Sequence, residues 1–269
     1  MKNFDVFNED CHQHPLVVSL PHSGTYLPAE MQEKLLPDAV IANVDWFLRE
    51  LYDFLVSLNV SVIQNNVCRY VADPNRATSQ RDVSGSYSEN VIYQRNTFGH
   101  LLYAEPLDKK TQQARLQQFY WPYHQQLAEM LAAKTAKFDK VLLLDLHSFA
   151  EYPENPDQKS TADFVLGNTW DLSSNKKVKD YFAAALAAKG YSISDNYPFN
   201  GGFITRHYGE HPQVEALQLE IRYHHYIEDR YYGEEYLTAY QPEPFYQMKQ
   251  TLEKIFQKLL RDLQALMAD

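Results

Sequence analysis

The stretch VLLLDLHS, residues 141–148, is an almost unbroken apolar run that carries one acid, Asp145, and ends in a histidine and a serine. Branched and long apolar side chains without glycine or proline read as a strand buried on both faces, the form taken in a largely parallel sheet covered by helices. Four further short runs have the same character: LVVSL (16–20), VSVIQ (60–64), DFVLG (163–167) and ALQLEI (216–221). Between them lie longer segments with apolar residues every three or four positions. Phe47, Leu51, Phe54, Leu55 and Leu58 predict a helix starting near Asp45, and Leu116, Phe119, Tyr123, Leu127 and Leu131 predict one interrupted by Pro122, which must kink it or mark a new first turn. Val178, Tyr181, Phe182 and Leu186 predict a helix closed by Gly190, and Phe245 through Leu263 a last one. Short strands alternating with helices predict an α/β sandwich, with helices on both faces of a mixed, mainly parallel sheet.

The 269 residues, 45% of them hydrophobic, suffice for one large core, and no repeat or linker signal divides them, so a single domain over 1–269 is expected. The formal charge of -10 excludes a generally basic nucleic-acid surface. Two cysteines, Cys11 and Cys68, make neither a disulfide framework nor a metal knuckle. No apolar run is long enough to span a membrane and the first residues do not read as a signal segment, so a cytoplasmic protein without membrane partners is expected. Oligomeric state is not encoded in any of these patterns.

Polar groups concentrate at strand ends, where open α/β sheets bind ligands. His22 follows VVSLP, His147 ends VLLLDLHS, Glu220 lies in LQLEI, and Asn75 and Arg76 lie in DPNR, at the start of a long polar stretch over 72–108. One strand-end histidine is usually structural, but two with a nearby carboxylate form a common ligand set for catalytic zinc. Asp45 and Glu220 both qualify as the third ligand. Glu220, buried by its apolar neighbours, is either paired with an arginine such as Arg222 or Arg76, or a general base. Ser23 and Ser148 each follow a histidine directly, but neither sits in a nucleophile elbow and neighbours on a strand point apart. The paired glycines of FNGGFITRHYG lack the pattern of a phosphate loop. Arg69, Arg76, Arg81, Arg95 and Arg206 could serve a small anionic substrate, since guanidinium binds carboxylates bidentately. His124, in WPYH, is read as structural.

In order along the chain, LPHSG, VDWFL, CRYVADPNR, WPYHQQL, LLLDLHS, NYPFNGGFITRHYG and LQLEIR resemble the N-formylglutamate amidohydrolase (deformylase) family, over roughly residues 15–230. That family is related to the zinc carboxypeptidases and aspartoacylases. The resemblance implies a three-layer α/β sandwich and one catalytic Zn2+ per chain, or another divalent metal in its place. It also implies His22 and His147 as metal ligands, Glu220 as general base, and Asn75 with Arg76 as holders of the substrate α-carboxylate. Carboxypeptidases carry a ligating glutamate three positions after the first histidine, where this chain has Thr25, so Asp45 is taken as the third ligand. Arg69 is expected to assist at the carboxylate or stabilise the oxyanion. Arg206 is expected to hold a second carboxylate, with Gly201 and Gly202 allowing close backbone approach.

The expected function is therefore zinc-dependent hydrolysis of N-formyl-L-glutamate, a small anionic amino-acid derivative, to formate and glutamate in histidine breakdown. Two other readings are a hydrolase of another N-acyl amino acid and a non-catalytic amino-acid-binding protein. A non-haem iron oxygenase would also use two histidines and a carboxylate. Its usual close His-x-Asp or His-x-Glu pair is missing, since Gly24 and Phe149 occupy those positions.

Overall fold

Each apolar run in the sequence becomes a strand. The computed structural model describes residues 2–78, 82–150, 162–228 and 239–268. Its strands are β1 (Phe4–Phe7), β2 (Leu16–Leu20), β3 (Ser61–Asn65), β4 (Ser84–Gly85), β5 (Ile92–Tyr93), β6 (Val141–Phe149), β7 (Phe164–Gly167), β8 (Ile193–Asp195) and β9 (Val214–Arg222). Its α-helices are α1 (Ala29–Gln32), α2 (Leu48–Leu51), α3 (Phe54–Ser57), α4 (Lys109–Arg115), α5 (Trp121–Thr135), α6 (Lys176–Ala187), α7 (Phe203–Gly209) and α8 (Pro242–Met267). β4 and β5 form a small ribbon within the 72–108 stretch. The other seven strands form one sheet in the order β1-β3-β2-β6-β9-β7-β8. The sheet is parallel except where β1 meets β3 and β7 meets β9.

β6 and β9 pair along their full lengths, Val141 opposite Val214 through Phe149 opposite Arg222. Alternation along them builds two cores. Leu142, Leu144 and Leu146, with Leu217, Leu219 and Ile221, pack toward α2, α3, α6 and α8. Val141, Leu143 and Ala216 pack on the other face beneath Tyr123, Leu127 and Met130 of α5 and Ile204 of α7. The architecture is thus a three-layer α/β sandwich with a mixed, mainly parallel sheet. No helix among the described residues is long and apolar enough to cross a membrane.

Two local expectations are corrected and one is narrowed. The apolar pattern from Phe47 to Leu58 is not one helix starting at Asp45. It is split into α2 and α3, and the first begins only after Phe47, whose φ of 56° is left-handed. Asp45 lies in the loop before it. Pro122 takes the second of its two expected roles and marks a new first turn, that of α5. A π-helical turn, Leu116–Tyr120, absorbs the irregularity between α4 and α5, leaving Pro122 in the first turn of α5, where a missing N–H costs little. His147 and Ser148 lie within β6, which continues to Phe149, and not beyond its end.

α8 covers one face of the sheet by burying a stripe from Phe245 to Met267. Its Phe256 is fully buried, with ring centroids 6.0 Å from Tyr52, 5.8 Å from Phe54 and 5.9 Å from Phe182. Phe256→Ala should therefore cost about 3–5 kcal/mol of unfolding free energy, measured as a shift of the denaturant midpoint.

Candidate active site

On the face beneath α5 and α7, the strands change character along their length. Val141 and Leu143 of β6 give way to Asp145 and His147, Val214 and Ala216 of β9 to Gln218 and Glu220, and Val17 of β2 to Ser19. The register sets Asp145 beside Gln218 and His147 beside Glu220. A cavity of about 810 Å³ opens over these carboxyl-terminal strand halves, within the range of small-ligand sites, roughly 300–1,000 Å³.

His22 enters from the turn after β2. Gly24 is required there, because a Cβ would come within 2.4 Å of the Asn66 backbone. Asp45 is brought to it by the chain, its N–H donating to the His22 carbonyl at 3.1 Å, in a loop whose Asn43 and Phe47 both have positive φ. The Tyr223 hydroxyl, donating to the Val44 carbonyl at 2.7 Å, fastens the same loop from the end of β9.

The two imidazoles are oriented alike. His22 Nε2 donates to Asp73 Oδ1 at 2.7 Å, and His147 Nε2 to Asp145 Oδ2 at 2.9 Å. Both Nδ1 atoms then face Asp45, whose Oδ2 is 3.0 Å from His147 Nδ1 and 3.9 Å from His22 Nδ1. The ligand atoms of His22, Asp45 and His147 all lie within 4.8 Å of one another, and all three residues are buried. His22 Nδ1 is buried and has no hydrogen-bond partner among the described residues. A buried orphan of this kind is costly unless something accepts its lone pair. The donor set fits a divalent ion, with each imidazole held by a carboxylate as metal-binding histidines commonly are.

The anchoring acids are themselves enclosed. Asp145 Oδ1 accepts from the Ser19 hydroxyl at 2.9 Å. Asp73 accepts from the Asn75 N–H, from Arg69 Nε and Nη2, and from the Tyr93 hydroxyl. Burial alone would raise the Asp73 carboxyl, but His22, Arg69 and Arg76 hold it well below the usual range. Burial, with Arg69 nearby, pushes His22 down to about 4, leaving the ring neutral and able to ligate. Burial acts against protonation of His147 too, yet Asp145 and Asp45 outweigh it and raise that ring. Glu220, which accepts from Gln218 Nε2 at 2.7 Å, is pushed up to about 8 by burial, with Asp45 and Asp145 adding to the effect against His147. Among the described residues it has no ion pair with Arg222 or Arg76.

The remaining residues singled out in the sequence divide. Arg69, Arg76 and Arg206 line the cavity, whereas Arg95 is exposed and donates to the Gly99 carbonyl. Arg81 lies outside the described residues. Arg69 lines the cavity while donating to Asp73, the acid that holds His22, and to the Asn43 carbonyl. Arg76 is braced by the carbonyls of Tyr87 and Asn75. Arg206 belongs to α7, not to a loop, is exposed, and donates to Asn200 Oδ1 at 2.7 Å. His124 is structural: one ring nitrogen meets the Tyr208 hydroxyl at 3.0 Å and the other the Pro74 carbonyl at 2.9 Å.

Asp73, Asp145 and Gln218 were not singled out by sequence reasoning. A usable signal was present, because each lies two positions before a site residue, in DPN, DLH and QLE. For DLH in β6 and QLE in β9 that spacing means the same face of a strand, whereas DPN lies in the loop after β3.

The glycines have an internal reason. Gly201 has φ +113°, and a Cβ on Gly202 would lie 2.2–2.4 Å from the Asn75 amide atoms. The amide Oδ1 accepts from the Ile204 N–H at 2.9 Å, while Nδ2 lies 3.1 Å from His147 Nε2, whose proton goes to Asp145.

The family model for N-formylglutamate amidohydrolase matches residues 14–227. N-formylglutamate deformylase of Pseudomonas aeruginosa is 32% identical over 221 residues, covering 80% of this chain and 83% of that protein. The deformylase of Pseudomonas putida is 31% identical over 221 residues, covering 80% and 82%. Among solved structures, the N-formylglutamate amidohydrolase from Ralstonia eutropha JMP134 superposes with a TM-score of 0.81 at 24% identity, covering 97% of this chain and 98% of that one. A gene product of Agrobacterium tumefaciens superposes with a TM-score of 0.73 at 17% identity, covering 98% and 96%. These two likenesses establish the fold.

Gly202→Ala must displace the Asn75 amide and break its bond to Ile204. It should lower the unfolding free energy by about 1–3 kcal/mol in chemical denaturation.

Proposed function

The chain belongs to the N-formylglutamate amidohydrolase family, and on that premise we propose that it hydrolyses N-formyl-L-glutamate to formate and L-glutamate, a step of histidine breakdown, using one Zn2+ held by His22, Asp45 and His147. The substrate rests on the deformylase relatives. The metal rests on one observation above all, the buried and unpartnered Nδ1 of His22 turned toward Asp45 and His147.

Bound there, zinc would polarise the formyl oxygen and make water acidic enough to attack at neutral pH. Glu220 takes the proton of the attacking water and returns it to the leaving amine nitrogen. A carboxyl poised near neutrality can do both, and burial places it at about 8 in the metal-free protein. Gln218 fixes which Glu220 oxygen faces the reacting atoms. Asp73 and Asp145 keep both imidazoles in the tautomer that presents Nδ1. Arg76, braced at the cavity wall, binds the α-carboxylate. Asn75, whose amide is already engaged, supports that wall more than it contacts substrate. Arg206 meets the side-chain carboxylate from the first turns of α7.

Metal analysis of the purified protein should find one zinc per chain at the catalytic site, and chelation should abolish formate release. Asp45→Ala should lose that zinc; full retention would refute its role as a ligand. Glu220→Gln should keep the metal while kcat falls by roughly 10²–10⁴-fold, the usual span for loss of a general acid–base.

Arg206→Ala should raise KM for N-formylglutamate more than for N-formylalanine, which has no side-chain carboxylate. Equal effects on the two substrates would remove Arg206 from the specificity pocket. Comparing formyl, acetyl and formimino glutamates defines the acyl preference, formyl being the group expected to turn over fastest.

A further inference from the structure

A second group of metal-binding side chains stands outside the cavity. Asp163 lies immediately before β7, and His224 and His225 lie in the 3-10 turn Tyr223–His225 immediately after β9. Because β7 and β9 run antiparallel, with Phe164 opposite Ile221, the start of one strand meets the end of the other. The Arg222 N–H donates to the Asp163 carbonyl at 3.0 Å and closes the junction. The three side chains therefore meet through sheet topology.

The group is preorganised. Asp163 Oδ2 accepts from both the N–H and the hydroxyl of Ser192, each at 2.8 Å, which turns Oδ1 toward the imidazoles. Oδ1 is 2.7 Å from His225 Nε2 and 3.7 Å from His224 Nε2. The His225 ring is fixed against Phe164, at an interplanar angle of 11°, and against the edge of Tyr191, with centroids 5.2 Å apart. One ligand atom from each residue falls within 4.8 Å of the others. Donors around a tetrahedral zinc ion stand roughly 3.3 Å apart, so an ion bound here would replace the hydrogen bond between His225 Nε2 and Asp163 Oδ1, with the 3.7 Å spacing from Oδ1 to His224 Nε2 already close to what it needs.

We propose that Asp163, His224 and His225 form a second binding site for a divalent transition-metal ion, separate from the catalytic cavity. Two imidazoles and one carboxylate select zinc, nickel or copper over magnesium or calcium. Side-chain exposures of 20%, 31% and 16% for Asp163, His224 and His225 let an ion enter from solvent and keep water in its remaining positions. An ion there would tie the start of β7 to the turn carrying Tyr223, a residue that lines the catalytic cavity.

Equilibrium dialysis against Zn2+, followed by metal quantification, tests the site. In the Asp45→Ala background, which takes the catalytic site out of the count, one equivalent of zinc should bind, and adding His224→Asn should weaken it at least tenfold. Equal affinity with and without His224→Asn, or no zinc bound by either protein, overturns the proposal. If Asp45→Ala does not fold, the wild-type background decides the matter: the zinc count should fall from two to one on His224→Asn, and an unchanged count overturns the site.

Discussion

The pairing of β6 with β9 is the constraint on which the rest of the molecule depends. It runs without a bulge from Val141 opposite Val214 to Phe149 opposite Arg222. Slipping either strand by one residue would turn its own polar pair, Asp145 and His147 or Gln218 and Glu220, into the opposite core and bring leucines to the cavity. The apolar halves of the two strands thus fix the position of the polar halves. Leu142, Leu144 and Leu146, all fully buried, lock the register that sets an imidazole beside a carboxyl.

Against that frame the site concentrates buried charge. Asp73 and Asp145 have no solvent exposure, Asp45 is 2% exposed and Glu220 6%. Buried carboxylates are costly unless they are paired or hydrogen-bonded. Here each has a separate arrangement: Asp145 holds His147 and takes the Ser19 hydroxyl, Asp73 gathers His22, Arg69 and Tyr93, and Glu220 rests on Gln218. Asp45 faces the two histidine nitrogens, His147 Nδ1 at 3.0 Å and His22 Nδ1 at 3.9 Å. This division turns the Asp45 carboxylate and the two Nδ1 atoms toward one point and sets Glu220 apart from them, an arrangement held by the protein's own hydrogen bonds, as the proposed function requires.

The layered sheet was legible because its strands are short, apolar and bounded by turn residues. β1 and β8 were not, since FDVF and ISD lie at sheet edges, where half-exposure removes the apolar signature. The histidine pair and Glu220 were legible as polar groups set into apolar runs. Asp45 entered as a helix-start acid, and only the positive-φ loop around it shows why it turns inward. The arginines were the hardest to sort, because a guanidinium that braces a buried acid, such as Arg69, and one at a cavity rim, such as Arg206, look alike in a list of residues. The role of the glycines also depended on a partner distant in sequence, Asn75.

The strand order has a consequence for how the chain is made. β6 emerges from the ribosome able to pair with β2 on one side, but its other neighbour, β9, ends 73 residues after β6 does, 149 to 222. At about 5–20 residues per second that interval is roughly 4–15 s. Through it this nine-residue strand carries a bare edge, the geometry that recruits other strands and seeds aggregation. β7 waits with it, since its antiparallel partner is the same late strand. The sheet therefore closes at its centre, and only once β9 has been made.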